Sequence, residues 1–381
     1  MKVTKFGDVV HEVKINVDRD NNPYEFYIAG DHMDSEDLTI HRKGHFATDD
    51  VGPAFTRIFK PGQILYGSRR TYLKKIAVAD FEGICANTTF VLETKDNCVF
   101  LQSLLPFIML SDKFTEWSVS HSKGSTNPYV LFSDLASYEF ELPSLEEQSI
   151  LSKKLWAAYR LKESYKRLLT ATDEMVKSQF IEMFGNPLSS KQKNELKKLG
   201  ECCSINPRRP NINLHDTDKV SFVPMSAVSE NGHLVDMIDE EYGKVKKGFT
   251  YFENNDVLFA KITPCMENGK GAIAHGLTNG IGMGSTEFHV LRPIDEISSP
   301  YWLLALTQMP VFRERAAKNM SGTGGQKRVG ASYLEHFMVG LPSIEEQRHF
   351  ETIYKQVDKS KFELRKSINA IDQVIKSLIN G

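Results

Sequence analysis

Four stretches carry residue types that could perform chemistry. Asn21-Asn22-Pro23-Tyr24 approaches the Asn-Pro-Pro-Tyr pattern with which amino-methyltransferases grip a target amino group. Its second position is Asn, and only twenty residues precede it, too few for the Gly-rich strand–helix turn that holds a methyl donor. Asn127-Pro128-Tyr129 lacks one Pro, and both read as turns. Gly322-Thr323-Gly324-Gly325-Gln326-Lys327 is Gly-rich and ends in Lys. A phosphate-cradling loop needs Gly-Lys-Ser/Thr between a strand and a helix, whereas here Gln326 precedes the Lys and Arg328 follows it. His41 and His45 are four apart with Gly44 between them and no Glu, which reads as a surface loop rather than a zinc helix. No Pro-Asp pair of a common nuclease pattern occurs. The sequence therefore assigns no catalytic residue and no metal ligand.

The same loops suit a different task. Ser122-Lys123-Gly124-Ser125-Thr126-Asn127 and Ser321-Gly322-Thr323-Gly324-Gly325-Gln326-Lys327 offer amides, hydroxyls, carboxamides and a Lys, all of which bind phosphates or base edges. Gly lets the backbone approach a ligand closely. The bland alternative is a surface loop with no ligand. Charge points the same way. Residues 51–79 hold Arg57, Lys60, Arg69, Arg70, Lys74 and Lys75 without one carboxylate, and Arg313, Arg315, Lys318, Lys327 and Arg328 face Glu314 alone. Such patches on a chain of net charge −2 fit a phosphate-binding face, or two solvated stretches. The candidate DNA contacts are Arg69, Arg70, Lys74, Lys123, Ser125, Thr126 and Asn127 in the first half of the chain. In the second half they are Lys261, Thr263, Thr323, Gly324, Gly325, Gln326, Lys327 and Arg328.

What positions these loops is a duplication. Leu142-Pro143-Ser144-Leu145-Glu146-Glu147-Gln148 returns 199 positions later as Leu341-Pro342-Ser343-Ile344-Glu345-Glu346-Gln347. The same offset pairs Ser122 with Ser321, Lys162 with Lys361 and Asp173 with Asp372. Nearer the start of each copy the offset is 193, as in Ile64-Leu65-Tyr66 and Val257-Leu258-Phe259, so the second copy gains six residues in between. Solenoid repeats run about 20–50 residues, so this period is a domain duplication.

Each copy ends in a helix opened by a capping box, Ser144 with Glu147 and Ser343 with Glu346. Apolar residues at 3–4 spacing follow: Leu151, Leu155, Ala158, Tyr165, Leu169, Val176 and Met183, then Phe350, Ile353, Val357, Leu364, Ile371, Val374 and Leu378. These are coiled-coil seams, interrupted by Lys162, Thr172, Ser360 and Ser367. The first helix, stopped at Gly185 and Pro187, spans about 60 Å at 1.5 Å per residue. Two seams in one chain bury each other antiparallel most simply; self-association is the alternative. The segments before the helices mix short strands (63–66, 76–79, 89–92, 256–259, 288–291) with helices near 101–109 and 301–306. The fold class is α+β: two globular domains, 1–141 and 187–340, and two spacer helices, 142–186 and 341–381, related by a pseudo-two-fold axis.

At 381 residues and 41% hydrophobic, the composition is that of a globular protein. There is no apolar run of membrane length, and the first residues lack a signal-peptide core. Five cysteines without a CxxC spacing argue against a disulfide framework or a zinc site. Cytoplasm is the expected location, with no membrane partner.

The repeated Leu-Pro-Ser-Leu/Ile-Glu-Glu-Gln, the Ser-Gly-Thr-Gly-Gly-Gln-Lys loop, Asp256-Val257-Leu258-Phe259-Ala260-Lys261 and Val176-Lys177-Ser178-Gln179-Phe180 together resemble the specificity subunits of type I restriction–modification enzymes. The resemblance implies two target-recognition domains, each reading one half of a bipartite site in double-stranded DNA. It implies helices that set the spacer and dock two methyltransferase (modification) subunits. Those partners would hold the S-adenosylmethionine, with restriction/translocase subunits bringing ATP and Mg, and no cofactor in this chain. Gly-Ser-Thr-Asn-Pro replaces Gly-Gln-Lys in the first loop, so the first domain's contacts depart from the pattern. Docking on one face of a duplex puts half-site centres about 34 Å apart. The other readings are a protein-binding scaffold of two adaptor domains on a coiled-coil ruler, and a stand-alone methyltransferase.

Overall fold

The computed structural model describes residues 2–18, 21–186, 194–323 and 325–381. They form two compact units, Met1–Lys166 with Lys366–Gly381, and Arg167–Arg365. Each holds two four-stranded sheets and one two-stranded pair.

In the first unit one sheet runs in the order Val10–Glu12, Thr89–Thr94, Ile64–Gly67, Ile76–Val78. The other runs Gly44–His45, Phe26–Ile28, Gly83–Ala86, Phe55–Phe59. The second unit repeats both orders, as Cys203–Ile205, Phe288–Pro293, Val257–Ala260, Gly271–Ile273 and as Ile238–Glu241, Lys219–Val223, Ile281–Gly284, Thr250–Glu253. Among the described residues one pairing of named strands in each unit is parallel. The central strands read as apolar runs, not alternations, because both faces are covered: Ile64, Leu65 and Tyr66 are buried, as are Val257, Leu258 and Phe259.

Register locates the six extra residues. Ile64 pairs with Val78 and Leu92, whereas Val257 pairs with Ile273 and Leu291. The offset thus grows from 193 to 195 in the turn before Gly271–Ile273 and to 199 after it. The insertions fall in connections and leave the strand pairing intact.

The two long helices are α1, Leu145–Phe184, and α2, Ile344–Asn380. Both capping boxes form: the Ser144 amide donates to Glu147 at 2.9 Å and the Ser343 amide to Glu346 at 3.1 Å. The last residue of the repeated motif has a structural role. Gln148 is fully buried; its Nε2 donates to the Val99 and Pro143 carbonyls, and its Oε1 accepts from the Leu101 amide. Gln347 does the same for Ile297, Pro342 and Ser299. Each carboxamide satisfies three backbone groups that would otherwise be buried unpaired.

The helices pair antiparallel within each unit. Leu155 and Tyr159 of α1 are buried with Ile375 of α2 in the first unit, and Val176, Phe180 and Phe184 with Phe350, Tyr354 and Val357 in the second. Both helices are therefore divided between the units, whereas the sequence set them apart as separate segments. The seam also differs in detail. Val374 is 52% exposed and its neighbour Ile375 is buried, because an α-helix drifts from a strict 3.5 repeat. Lys162 and Lys361 do not break the seam but lie buried in it, each on a carboxylate of the other helix. Among the described residues no helix is long and apolar enough to cross a membrane.

Candidate nucleic-acid interface

In each unit the connection from a central strand to the edge strand, Ile64–Gly67 to Ile76–Val78 and Val257–Ala260 to Gly271–Ile273, meets the loop that precedes a short helix, Phe132–Ala136 or Ala331–Glu335. In the first unit Lys123 and Tyr129 exchange backbone bonds of 2.7 and 2.9 Å, which closes the loop on itself. Arg69 bridges to Tyr129, the Arg70 amide donates to the Pro128 carbonyl at 2.7 Å, and the Val130 amide to Ser68 at 2.9 Å. Arg70 and Lys74 hold the turn with left-handed backbones at φ 50° and 47°. In the second unit Ser321 and Arg328 exchange bonds of 3.0 and 2.8 Å, and Ile262 bridges to Arg328. The Val329 amide donates to Lys261, and the Lys327 amide to Thr263 Oγ1 at 3.1 Å, which in turn donates to the Gly325 carbonyl at 2.8 Å. Gly322 is required here: at φ 141°, an added Cβ would sit 2.3 Å from the Gln326 carbonyl.

These bonds make each loop pair a preorganised edge. Ser125, Thr126 and Asn127 lie exposed on the first, as do Arg69 and Arg70, which have no ion-pair partner among the described residues. Thr323, Gly325, Gln326 and Lys327 lie exposed on the second, with Lys261 and Thr263 half-buried at its base; Gly324 lies outside the described residues.

Other candidate cations are already engaged. Lys74 sits 2.8 Å from Asp112 and 3.5 Å from Glu36, with its side chain 14% exposed. Lys123 lies 3.3 Å from Asp134. Arg328 makes a bidentate pair with Glu287 at 2.8–2.9 Å, and that bond holds the Glu287 carboxyl below its ordinary range. Of the 51–79 stretch, Arg57 is buried against Glu12 and Asn16, and Lys75 donates to the Gly30 carbonyl. The basic run in sequence is thus not one basic face, because carboxylates distant in sequence neutralise Arg57 and Lys74, and Lys75 is held on a backbone carbonyl.

Sequence reasoning missed four residues of these edges. Tyr72 and Tyr129 are 54% and 40% exposed, and neither ring stacks on another among the described residues. Glu287 supports Arg328. Burial pushes the His289 imidazole pKa down, so the ring is neutral; its Nε2 donates to the Val329 carbonyl at 2.8 Å and its Nδ1 accepts from Asn206 at 2.9 Å. The strand–loop pairing identifies these residues; Asn127-Pro128-Tyr129 reads in sequence only as a turn, and no motif marks the other three.

A separate polar cluster joins the first domain to α1. The buried Asp37 accepts from Tyr159 Oη at 2.5 Å, Lys166 Nζ at 2.8 Å and the Thr39 amide at 2.9 Å. Asp37, His41 and Glu163 bring ligand-type atoms within 4.8 Å of one another. The Lys166 ammonium stands 2.8 Å from Asp37 and 2.9 Å from Glu163, supplying the positive charge there.

Two copies of one scaffold, each holding out a rigid pair of joined loops with different side chains, define a duplicated recognition protein. The chain belongs to the family described as the type I restriction modification DNA specificity domain, which matches residues 7–170 and 191–373. It is similar to the type I restriction enzyme EcoAI specificity subunit of Escherichia coli, 35% identical over 189 residues, 48% of this chain and 31% of that one. The EcoEI specificity subunit of the same organism is 34% identical over 189 residues, with the same 48% and 31% shares. The chain thus spans about a third of the length of these curated relatives. A chain solved to explain complex assembly and conformational transition of the type I R-M system has the same fold, with a TM-score of 0.55 at 18% identity, covering 99% of this chain and 96% of that one.

Proposed function

We propose that this chain is the DNA-reading component of a type I restriction–modification assembly. Each loop pair meets one half of a bipartite duplex target, and α1 and α2 dock two modification subunits that bring the S-adenosylmethionine. The chain itself carries out no chemistry. The observation that supports this reading is the repetition of one loop-on-turn scaffold with different exposed side chains. Phosphate contacts come from free cations such as Arg69, Arg70 and Lys327, and base edges are met by the carboxamides and hydroxyls between them. Restriction/translocase subunits would join the same assembly, in the cytoplasm.

The test is modular exchange. Residues 190–340 are replaced by the matching segment of a relative with another target, and the methylated motif is sequenced in cells that also express the modification subunits. The motif should change in one half only. A change in both halves, or in neither, overturns independent reading. Methyl transfer or cleavage by the purified chain, free of partners, would overturn the non-catalytic assignment.

A further inference from the structure

The bonds that join turn to loop are equivalent in the two units, so the side chains at those positions can be compared, although the loop closes from Lys123 to Tyr129 in one and, one residue longer, from Ser321 to Arg328 in the other. The Val130 amide bonds to Ser68 as the Val329 amide bonds to Lys261. The Ser68 amide bonds to Thr88 as the Lys261 amide bonds to Glu287. Arg69 bridges to Tyr129 as Ile262 bridges to Arg328. The first edge therefore presents Arg69, Tyr129 and Thr88 where the second presents Ile262, Arg328 and Glu287. Antiparallel bridge partners project to the same side. Arg69 and Tyr129 thus emerge together: a cation without a carboxylate partner and a 40% exposed ring with nothing stacked on it. In the second domain the same place holds an arginine tied to Glu287. The backbone is held constant while the chemistry at one exposed position changes, together with its support.

We propose that Tyr129 is a specificity-determining residue of the first domain, making apolar contact with the 5-methyl group of a thymine in the major groove, with Arg69 holding the adjacent phosphate. This rests on the DNA-reading function proposed above. A tyrosine ring offers a rigid apolar edge, and the thymine methyl is the one apolar mark in the major groove. Thr88 carries no charge that would draw the ring aside, unlike Glu287 in the other domain.

The experiment uses the full chain and pools of randomised duplex. Wild-type protein should enrich a motif with a thymine in its first half. Replacing that thymine by uracil removes only the methyl and should weaken binding about fourfold, the value of one buried methyl-sized group. Tyr129→Ala should lose the preference for thymine over uracil while keeping the second half of the motif, which reports that the protein is folded. Tyr129→Phe should retain the preference. If Tyr129→Ala still distinguishes thymine from uracil, or if no position in the first half is sensitive to the methyl, the proposal fails while DNA reading stands. If the wild-type chain enriches no sequence at all, the DNA-reading function itself fails.

Discussion

Lys162 of α1 lies 2.5 Å from Asp372 of α2, and Lys361 of α2 meets Asp173 of α1. Both members of each pair are 199 positions from their counterparts. Each copy's lysine thus takes the other copy's aspartate, which is what antiparallel pairing of two related helices requires. Both lysines are buried, so the pairs contribute to register as well as to charge balance.

Lys162→Met should leave the Asp372 carboxylate without its partner. We expect a loss of about 1–3 kcal/mol in urea unfolding, less than the ~3–5 kcal/mol of a fully buried pair, because Asp372 keeps a third of its side chain exposed. The double exchange Lys162→Asp with Asp372→Lys should recover much of it. Additive losses would show that the two side chains are not coupled.

Gln148→Leu should cost about 2–4 kcal/mol, because two carbonyls and one amide lose their partner inside the core. Gln347→Leu should cost a similar amount. Hydrogen exchange should show the loss locally, at Leu101 in the first case and Ser299 in the second.

The architecture was legible where signals were local and repeated. The capping boxes, the helix ends and the central strands follow from spacing alone. The seam was read one residue off at Val374, since a seven-residue template cannot follow a 3.6-residue helix over 37 residues. The sites were harder. Lys74 and Arg328 read as free cations because their carboxylates, Asp112 and Glu287, are 38 and 41 positions away. Tyr129 was passed over because Asn-Pro-Tyr is by itself only a turn; its importance comes from the bridge to Arg69, 60 positions earlier.

Asp37 gives stability a defined acid limit. Burial would raise its pKa, but hydrogen bonds from Lys166, Tyr159 and Thr39 outweigh that and bring it down to about 2 from an ordinary 3.8. The unfolded chain therefore takes up the proton first as pH falls. The stabilisation is complete above about pH 5 and is lost between about pH 4 and 2. Urea midpoints of wild type and Asp37→Asn should differ most at neutral pH and converge as the solution is acidified across that window. A constant difference would place the effect outside the carboxylate.

Salt titration separates free from engaged cations. Arg69→Ala or Arg70→Ala should reduce the slope of log affinity against log salt for duplex DNA by about one unit each. Lys74→Ala should leave the slope unchanged, since its charge is spent on Asp112 and Glu36. Fluorescence anisotropy between low and physiological salt gives the slopes; equal effects for all three would undo the distinction.

The division of α2 between the units fixes an order of events during synthesis. The first unit needs residues 366–381 to complete its core, with Ile375 against Tyr159 and Asn380 on Asp112, 268 positions apart. At about 5–20 residues per second, a ribosome takes roughly 10–40 s to make the intervening stretch. During that interval the first half of α1 presents an uncovered apolar face. The second unit, made of one continuous segment, can close earlier. Of the two units, the one whose domain is made earlier is thus the later to be sealed.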